Sequence, residues 1–173
     1  ICNVPTIGIG NKPIDDGNYL FTKEEMEEFI KLEPKSEQYF RPWYGAVEFI
    51  QQKPRYCLWL GECSPSELRS MPHCMERVKN VREFRLASKS EGTRKIADSP
   101  TRFHVENMPE TSYIIIPSVS SENRKYIPMG FMSNDTMASN LVLIIPEGNL
   151  YHFGVLTSAM HMAWMRCICG RIK

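Results

Sequence analysis

The chain has 173 residues, enough for one domain with its own apolar core. Lys plus Arg number 21 and Asp plus Glu 20, a net charge of +1 that excludes a uniformly basic nucleic-acid binder and an acidic disordered tail. Hydrophobic residues make up 42%, and apolar runs such as Leu141 to Ile145 stop at five residues, far short of the ~20 a membrane span needs, so a cytoplasmic protein without a membrane partner is expected.

Asp15-Asp16-Gly17-Asn18 reads as a turn rather than a metal site. Thr22-Lys23-Glu24-Glu25 is a capping box, and Met26, Phe29 and Ile30 continue it as a helical apolar stripe stopped near Pro34. A short helix is expected from Gly45 to Gln51, then a strand from Arg55 to Leu60. Ser64-Pro65-Ser66-Glu67 repeats the capping box with proline at the first helical position, and the helical region runs to about Ser88 with a break at Pro72. In its second piece Arg82, Arg85 and Lys89 stand at i, i+3 and i+7, which puts them on one face.

Beyond residue 110 the pattern shortens. Strands are expected at Tyr113 to Ile116 and Ile127 to Phe131, joined by residues 118–125. Two more are expected at Leu141 to Ile145 and Tyr151 to Val155, around the turn signal Pro146-Glu147-Gly148-Asn149. A final helix follows with Thr157 as its N-cap. The fold class is therefore α+β: N-terminal helices, then short and mostly antiparallel strands, then a C-terminal helix. The opening on Ile1 and the close at Gly170-Arg171-Ile172-Lys173, just past that helix, read as a single domain, residues 1–173, excised from a longer polypeptide.

Motifs for catalysis fail one by one. Gly8-Ile9-Gly10 runs into Asn11-Lys12-Pro13 and cannot open a nucleotide-binding helix, and there is neither a P-loop nor a nucleophile elbow. The six cysteines (Cys2, Cys57, Cys63, Cys74, Cys167, Cys169) form no Cys-x-x-Cys pair and read as reduced thiols, and the four histidines lack zinc-ligand spacing. Charge, in contrast, is segregated. Asp15 to Glu37 carries eight acidic and three basic residues, net −5, while Arg77 to Lys95 carries seven basic and two acidic, net +5. The basic stretch suits a polyanion, though a solvated helix face would look the same.

Three longer stretches are specific: Val81-Arg82-Glu83-Phe84-Arg85-Leu86-Ala87-Ser88-Lys89 leading to Thr93-Arg94-Lys95; Ile116-Pro117-Ser118 through Met129-Gly130-Phe131; and Leu150-Tyr151-His152-Phe153 through Trp164-Met165-Arg166. With the opening Gly10-Asn11-Lys12-Pro13-Ile14-Asp15-Asp16-Gly17 they resemble the target recognition domain of MmeI-like DNA methyltransferases, which are single-chain type II restriction–modification enzymes of bacteria.

The resemblance implies a sequence-specific double-stranded DNA recognition module with no catalysis of its own. It would hold DNA against a separate adenine-N6 methyltransferase domain of the same polypeptide. The parent, an endonuclease as well, would use S-adenosylmethionine and Mg2+; this segment would hold no cofactor and no metal. Arg82, Arg85, Lys89, Arg94, Lys95, Arg124 and Lys125 are the expected phosphate contacts. Ser133, Asn134, Asp135, Ser139 and Asn140 form either a base-reading edge or an ordinary polar loop, and Arg171 and Lys173 are further candidates. Lysine offers only donors, which suit guanine O6 and N7, so Lys173 is expected to read a guanine unless it merely holds a phosphate. His152, His161 and Trp164 lie in apolar contexts and are expected to pack. The alternative is a non-catalytic protein–protein scaffold, its two charged segments docking on partners.

Overall fold

Both capping boxes form. Thr22 accepts from the Glu25 amide and Glu25 accepts from the Thr22 amide, starting helix α1 (Lys23–Leu32) after two short strands, β1 (Gly8–Ile9) and β2 (Leu20–Phe21). A 3-10 segment, Pro34–Tyr39, leads into β3 (Phe40–Tyr44), followed by α2 (Ala46–Gln51) and β4 (Arg55–Leu58). Ser64 and Glu67 repeat the reciprocal cap at α3 (Pro65–Arg69), and Pro72 opens α4 (Pro72–Leu86). Then come α5 (Glu91–Lys95), a 3-10 turn at Ile96–Asp98, strands β5 (Tyr113–Pro117), β6 (Gly130–Met132), β7 (Met137–Ala138) and β8 (Val142–Pro146), and helices α6 (Leu150–Leu156) and α7 (Ala159–Ile168). The structure, a computed structural model, describes residues 4–169.

The strands make two four-stranded sheets, ordered β1-β8-β5-β6 and β2-β4-β3-β7. Every pairing is antiparallel except β3 with β7. Pro42 stands inside β3 with no amide to give, yet β7 reaches only Trp43 and Tyr44, so the missing donor leaves no gap in that ladder. β5 is buried along its whole length. Tyr113 and Ile115 face a core with Phe49, Val142 and Ile144, while Ile114 and Ile116 face the opposite core with Ile145. The largest core lies on the other sheet, where Phe21, Phe29, Phe40, Trp43 and Trp59 meet Leu68, Val78 and Val81.

The N-terminal segment stitches the two sheets. β1 pairs with β8, and the next residues cross to β7, where the Asn11 amide and its side-chain Nδ2 both donate to the Ala138 carbonyl. Asn11 Oδ1 also accepts from the Asn107 amide, so this wholly buried asparagine is satisfied. A Cβ on Gly10 would lie 2.4 Å from the carbonyl oxygens of Ala138 and Ser139, so the Gly8-Ile9-Gly10 pattern serves a close backbone approach.

Three expectations are corrected. Tyr151 to Val155 is helix, not strand: Asn149 Oδ1 accepts from the Tyr151 and His152 amides and starts α6 despite the β-favouring aromatics. Thr157 ends α6, and Ser158 caps α7. The strand expected at Ile127 to Phe131 begins only at Gly130.

The fourth correction concerns Arg85. Cys74, Val78, Val81 and Arg85 form the inward stripe of α4, and Arg85 has no exposed surface. Its Nε donates to the Ile14 carbonyl at 2.9 Å, Nη1 to Ile96 at 2.9 Å and Ser99 at 3.0 Å, and Nη2 to Pro13 and Arg102 at 2.8 Å each. All five guanidinium donors are used on backbone oxygens. Burial lowers the Arg85 pKa, with Tyr19 and Asp15 acting the other way. Ile14 has φ 51°, a left-handed value costly for a β-branched residue, and Arg85 holds its carbonyl and the preceding one.

Lysine has three donors and no fork, so Arg85→Lys should destabilise the fold by about 2–4 kcal/mol and Arg85→Met by more, since buried acceptors lose their partners. Urea unfolding checks this. A loss below ~0.5 kcal/mol, as for an exposed arginine, would contradict the assignment.

Candidate nucleic-acid interface

The seven basic residues from Arg77 to Lys95 divide by environment. Arg85 is inside. Arg77 is half-buried, its guanidinium 4.7 Å and 5.5 Å from the ring centres of Phe21 and Phe29, and it donates to the Asn18 carbonyl. Lys79 pairs with Glu83 at 3.8 Å and Lys95 with Glu91 at 2.9 Å. Arg82, Lys89 and Arg94 are exposed and make no ion pair among the described residues. Lys89 lies past the end of α4, so the expected common face of residues 82, 85 and 89 does not exist. Arg94 Nη1 donates to the carbonyls of Ser88 and Lys89, both at 2.8 Å, and so fixes the link between α4 and α5.

Arg124 and Lys125 are exposed in the loop between β5 and β6. The backbone there is tied down: Arg166 of α7 donates to the Lys125 carbonyl, and the Arg124 amide donates to Ser121. This loop belongs to the half built on β5, β6 and α7, whereas Val78 and Val81 anchor α4 in the core of the other sheet.

The polar loop also divides. Ser133, Asn134 and Asp135 are exposed on the turn from β6 to β7, where the amide and hydroxyl of Thr136 both donate to the Ser133 carbonyl at 3.1 and 2.6 Å. Asn134 Nδ2 donates to the Glu110 carbonyl at 2.8 Å. Ser139 is corrected: it is 4% exposed, its hydroxyl accepts from the Leu141 amide at 3.0 Å, and its own amide donates to Tyr44. It holds the turn into β8 and has no free edge to offer a base. Asn140 beside it is half-buried. Arg171 and Lys173 lie outside the described residues.

A residue without a distinctive sequence signal joins this site. Asn134, Asp135 and Thr136 form one wall of a cleft of about 560 Å³, and Arg41, Trp59 and Glu62 line it with Met108 and Pro109. Arg41 is an isolated charge in an aromatic, proline-containing strand, the one hint available beforehand. Its Nη1 is fixed by the carbonyls of Gln38 and Phe40 at 2.7 and 3.1 Å. The cleft is thus lined by a guanidinium, an amide and a carboxylate, side-chain types that can discriminate base edges.

The thiols inside the fold are not poised as nucleophiles. Burial pushes Cys57 well up and Cys74 up to about 12, so both are protonated at neutral pH. His152 and His161 are half-buried, and His152 Nδ1 accepts from the Asn149 amide in the α6 cap. Trp164, expected to pack, is 62% exposed.

Comparison with known proteins bears on this arrangement. The family model described as "MmeI, target recognition domain" matches residues 1–173. DNA methyltransferase A of Bacillus subtilis (strain 168) is 40% identical over 173 residues, all of this chain and 20% of that protein. A solved structure of the Type IIL restriction-modification enzyme MmeI in complex with DNA superposes with a TM-score of 0.95 at 46% identity, over 99% of this chain and 23% of that one. The chain therefore spans about a fifth of the length of these relatives.

Because Ser139 satisfies buried backbone, Ser139→Ala should cost about 1–2 kcal/mol in urea unfolding, whereas Asn134→Ala should cost ~0.5 kcal/mol or less. Equal, small losses would return Ser139 to the exposed polar loop.

Proposed function

Given that the chain belongs to the MmeI target recognition domain family, we propose that it grips and reads double-stranded DNA for a longer polypeptide. That polypeptide carries an adenine-N6 methyltransferase domain, against which this domain holds the DNA, and an endonuclease. Its S-adenosylmethionine and Mg2+ belong to those other parts, and residues 1–173 act by binding alone. The observation that carries this reading is the whole-length likeness to a protein solved on DNA.

The residues divide the work by chemistry. Arg82, Lys89 and Arg94 on one half, and Arg124 and Lys125 on the other, are long exposed cations suited to phosphates, which fix register without reading sequence. Arg41, Asn134 and Asp135 stand around one cleft and are suited to base edges. An adenine must leave the stack to be methylated, at a cost of a few kcal/mol, so firm phosphate contacts on the remaining duplex are needed to hold it.

In the full-length parent, Arg82→Ala, Lys89→Ala and Arg94→Ala should weaken binding to all sequences alike, each lowering the slope of log affinity against log salt by about one. Lys95→Ala, whose charge already faces Glu91, should lower it less. Loss confined to the cognate site would make these residues base readers instead.

Specificity gives a second test. Arg41→Gln, or Asn134→Ala with Asp135→Ala, should relax one position of the methylated motif, at about 1–3 kcal/mol of discrimination. Sequencing of methylated sites in cells carrying the variants checks this. An unchanged motif with lower yield would move these residues to the phosphate class.

A further inference from the structure

Helices α6 and α7 have two apolar faces, and the described residues cover only one. On the inner side Phe153 and Leu156 of α6 pack on Ile114, Ile116 and Ile145, and Met162 of α7 is 3% exposed, its sulfur accepting from the Ile127 amide. The outer side is as apolar. Leu150, Tyr151 and Val155 are 77%, 75% and 50% exposed, and Met160, Trp164 and Ile168 are 82%, 62% and 57% exposed. On α7 the exposed residues Met160, Ala163, Trp164, Cys167 and Ile168 follow i, i+3, i+4, i+7 and i+8, the stripe by which one helix face meets another element. A large, solvent-exposed tryptophan at the centre of such a stripe is a typical anchor.

We infer that this face docks an amphipathic helix of the same parent polypeptide, from outside residues 1–173. Charge argues against DNA as the occupant of the apolar stripe itself: from Leu150 to Ile168 the only charged side chain is Arg166, which is engaged on the Lys125 carbonyl. Covalent reach favours the parent over a second copy. The relatives are about five times as long as the segment they share with this chain, and a tethered helix acts at an effective concentration up to the millimolar range. The inference rests on the proposal that the chain is one part of a longer polypeptide, and it assigns the outer apolar face of α6 and α7 to protein, beside the Arg124–Lys125 loop proposed for phosphates.

The test uses the full-length parent without DNA, with the photo-reactive residue p-benzoylphenylalanine in place of Met160, an exposed position where the fold is not at risk. Irradiation should give a cross-link within one polypeptide to an apolar helical stretch outside residues 1–173. Adding Trp164→Glu should cut its yield by about tenfold or more, since the contact would have to bury a carboxylate. Cross-links between two copies, cross-links confined to residues 1–173, or a yield no higher than from the same probe at exposed Glu62 would each overturn the inference. With no DNA present, these outcomes leave the salt-slope measurement independent, so failure of DNA binding and failure of docking are told apart.

Discussion

The Arg85 guanidinium decides how far the helices that carry exposed arginines can move. It joins α4 to the segment at Pro13 and Ile14, to the 3-10 turn after α5, and to Arg102. Removing a guanidinium from water costs several kcal/mol, which is offset only if every donor is matched. Here every donor is matched; the Ile96 and Ser99 oxygens also accept from the Ser99 and Arg102 amides, so it is the Pro13, Ile14 and Arg102 carbonyls that depend on it most. The consequence reaches the surface: α4, carrying Arg82, and α5, carrying Arg94, cannot shift independently, because both are tied to one buried fork. The phosphate grip proposed for Arg82 and Arg94 would need cations at fixed separations, and this cage supplies that rigidity.

Local chemistry was legible where it was self-contained. Thr22 with Glu25 and Ser64 with Glu67 marked helix starts that form as expected, because a capping box needs only four neighbouring residues. The uninterrupted apolar run at β5 marked a strand, which the structure buries on both faces. Competing local signals and contacts made at a distance were not legible. Tyr151 to Val155 has a strand's composition, and the side chain of Asn149 turned it to helix. Arg85 looked like one more member of a basic face, yet Cys74, Val78 and Val81 at helical spacing before it put it on the inward stripe. Arg41 entered the site only because β3 runs beside the turn from β6 to β7, a juxtaposition that no local pattern encodes.

The surface separates two chemistries. Exposed cations stand on α4, α5 and the loop before β6, as they do over the N-terminal half, while α6 and α7 offer aromatic and aliphatic side chains with almost no charge. The neutral composition conceals this division. A module that, as proposed, holds a polyanion on one side and stays attached to a larger protein on another needs both kinds of surface, and an exposed Trp164 is costly unless something covers it.

Arginine-specific labelling with phenylglyoxal, read by mass spectrometry on the full-length parent with and without cognate duplex, tests the division between structural and DNA-facing cations most directly. Arg82, Arg94 and Arg124 should react in the free protein and become protected by DNA, and Arg85 should be inert in both states. An Arg85 that reacts when free and is protected by DNA like Arg82 would contradict the account.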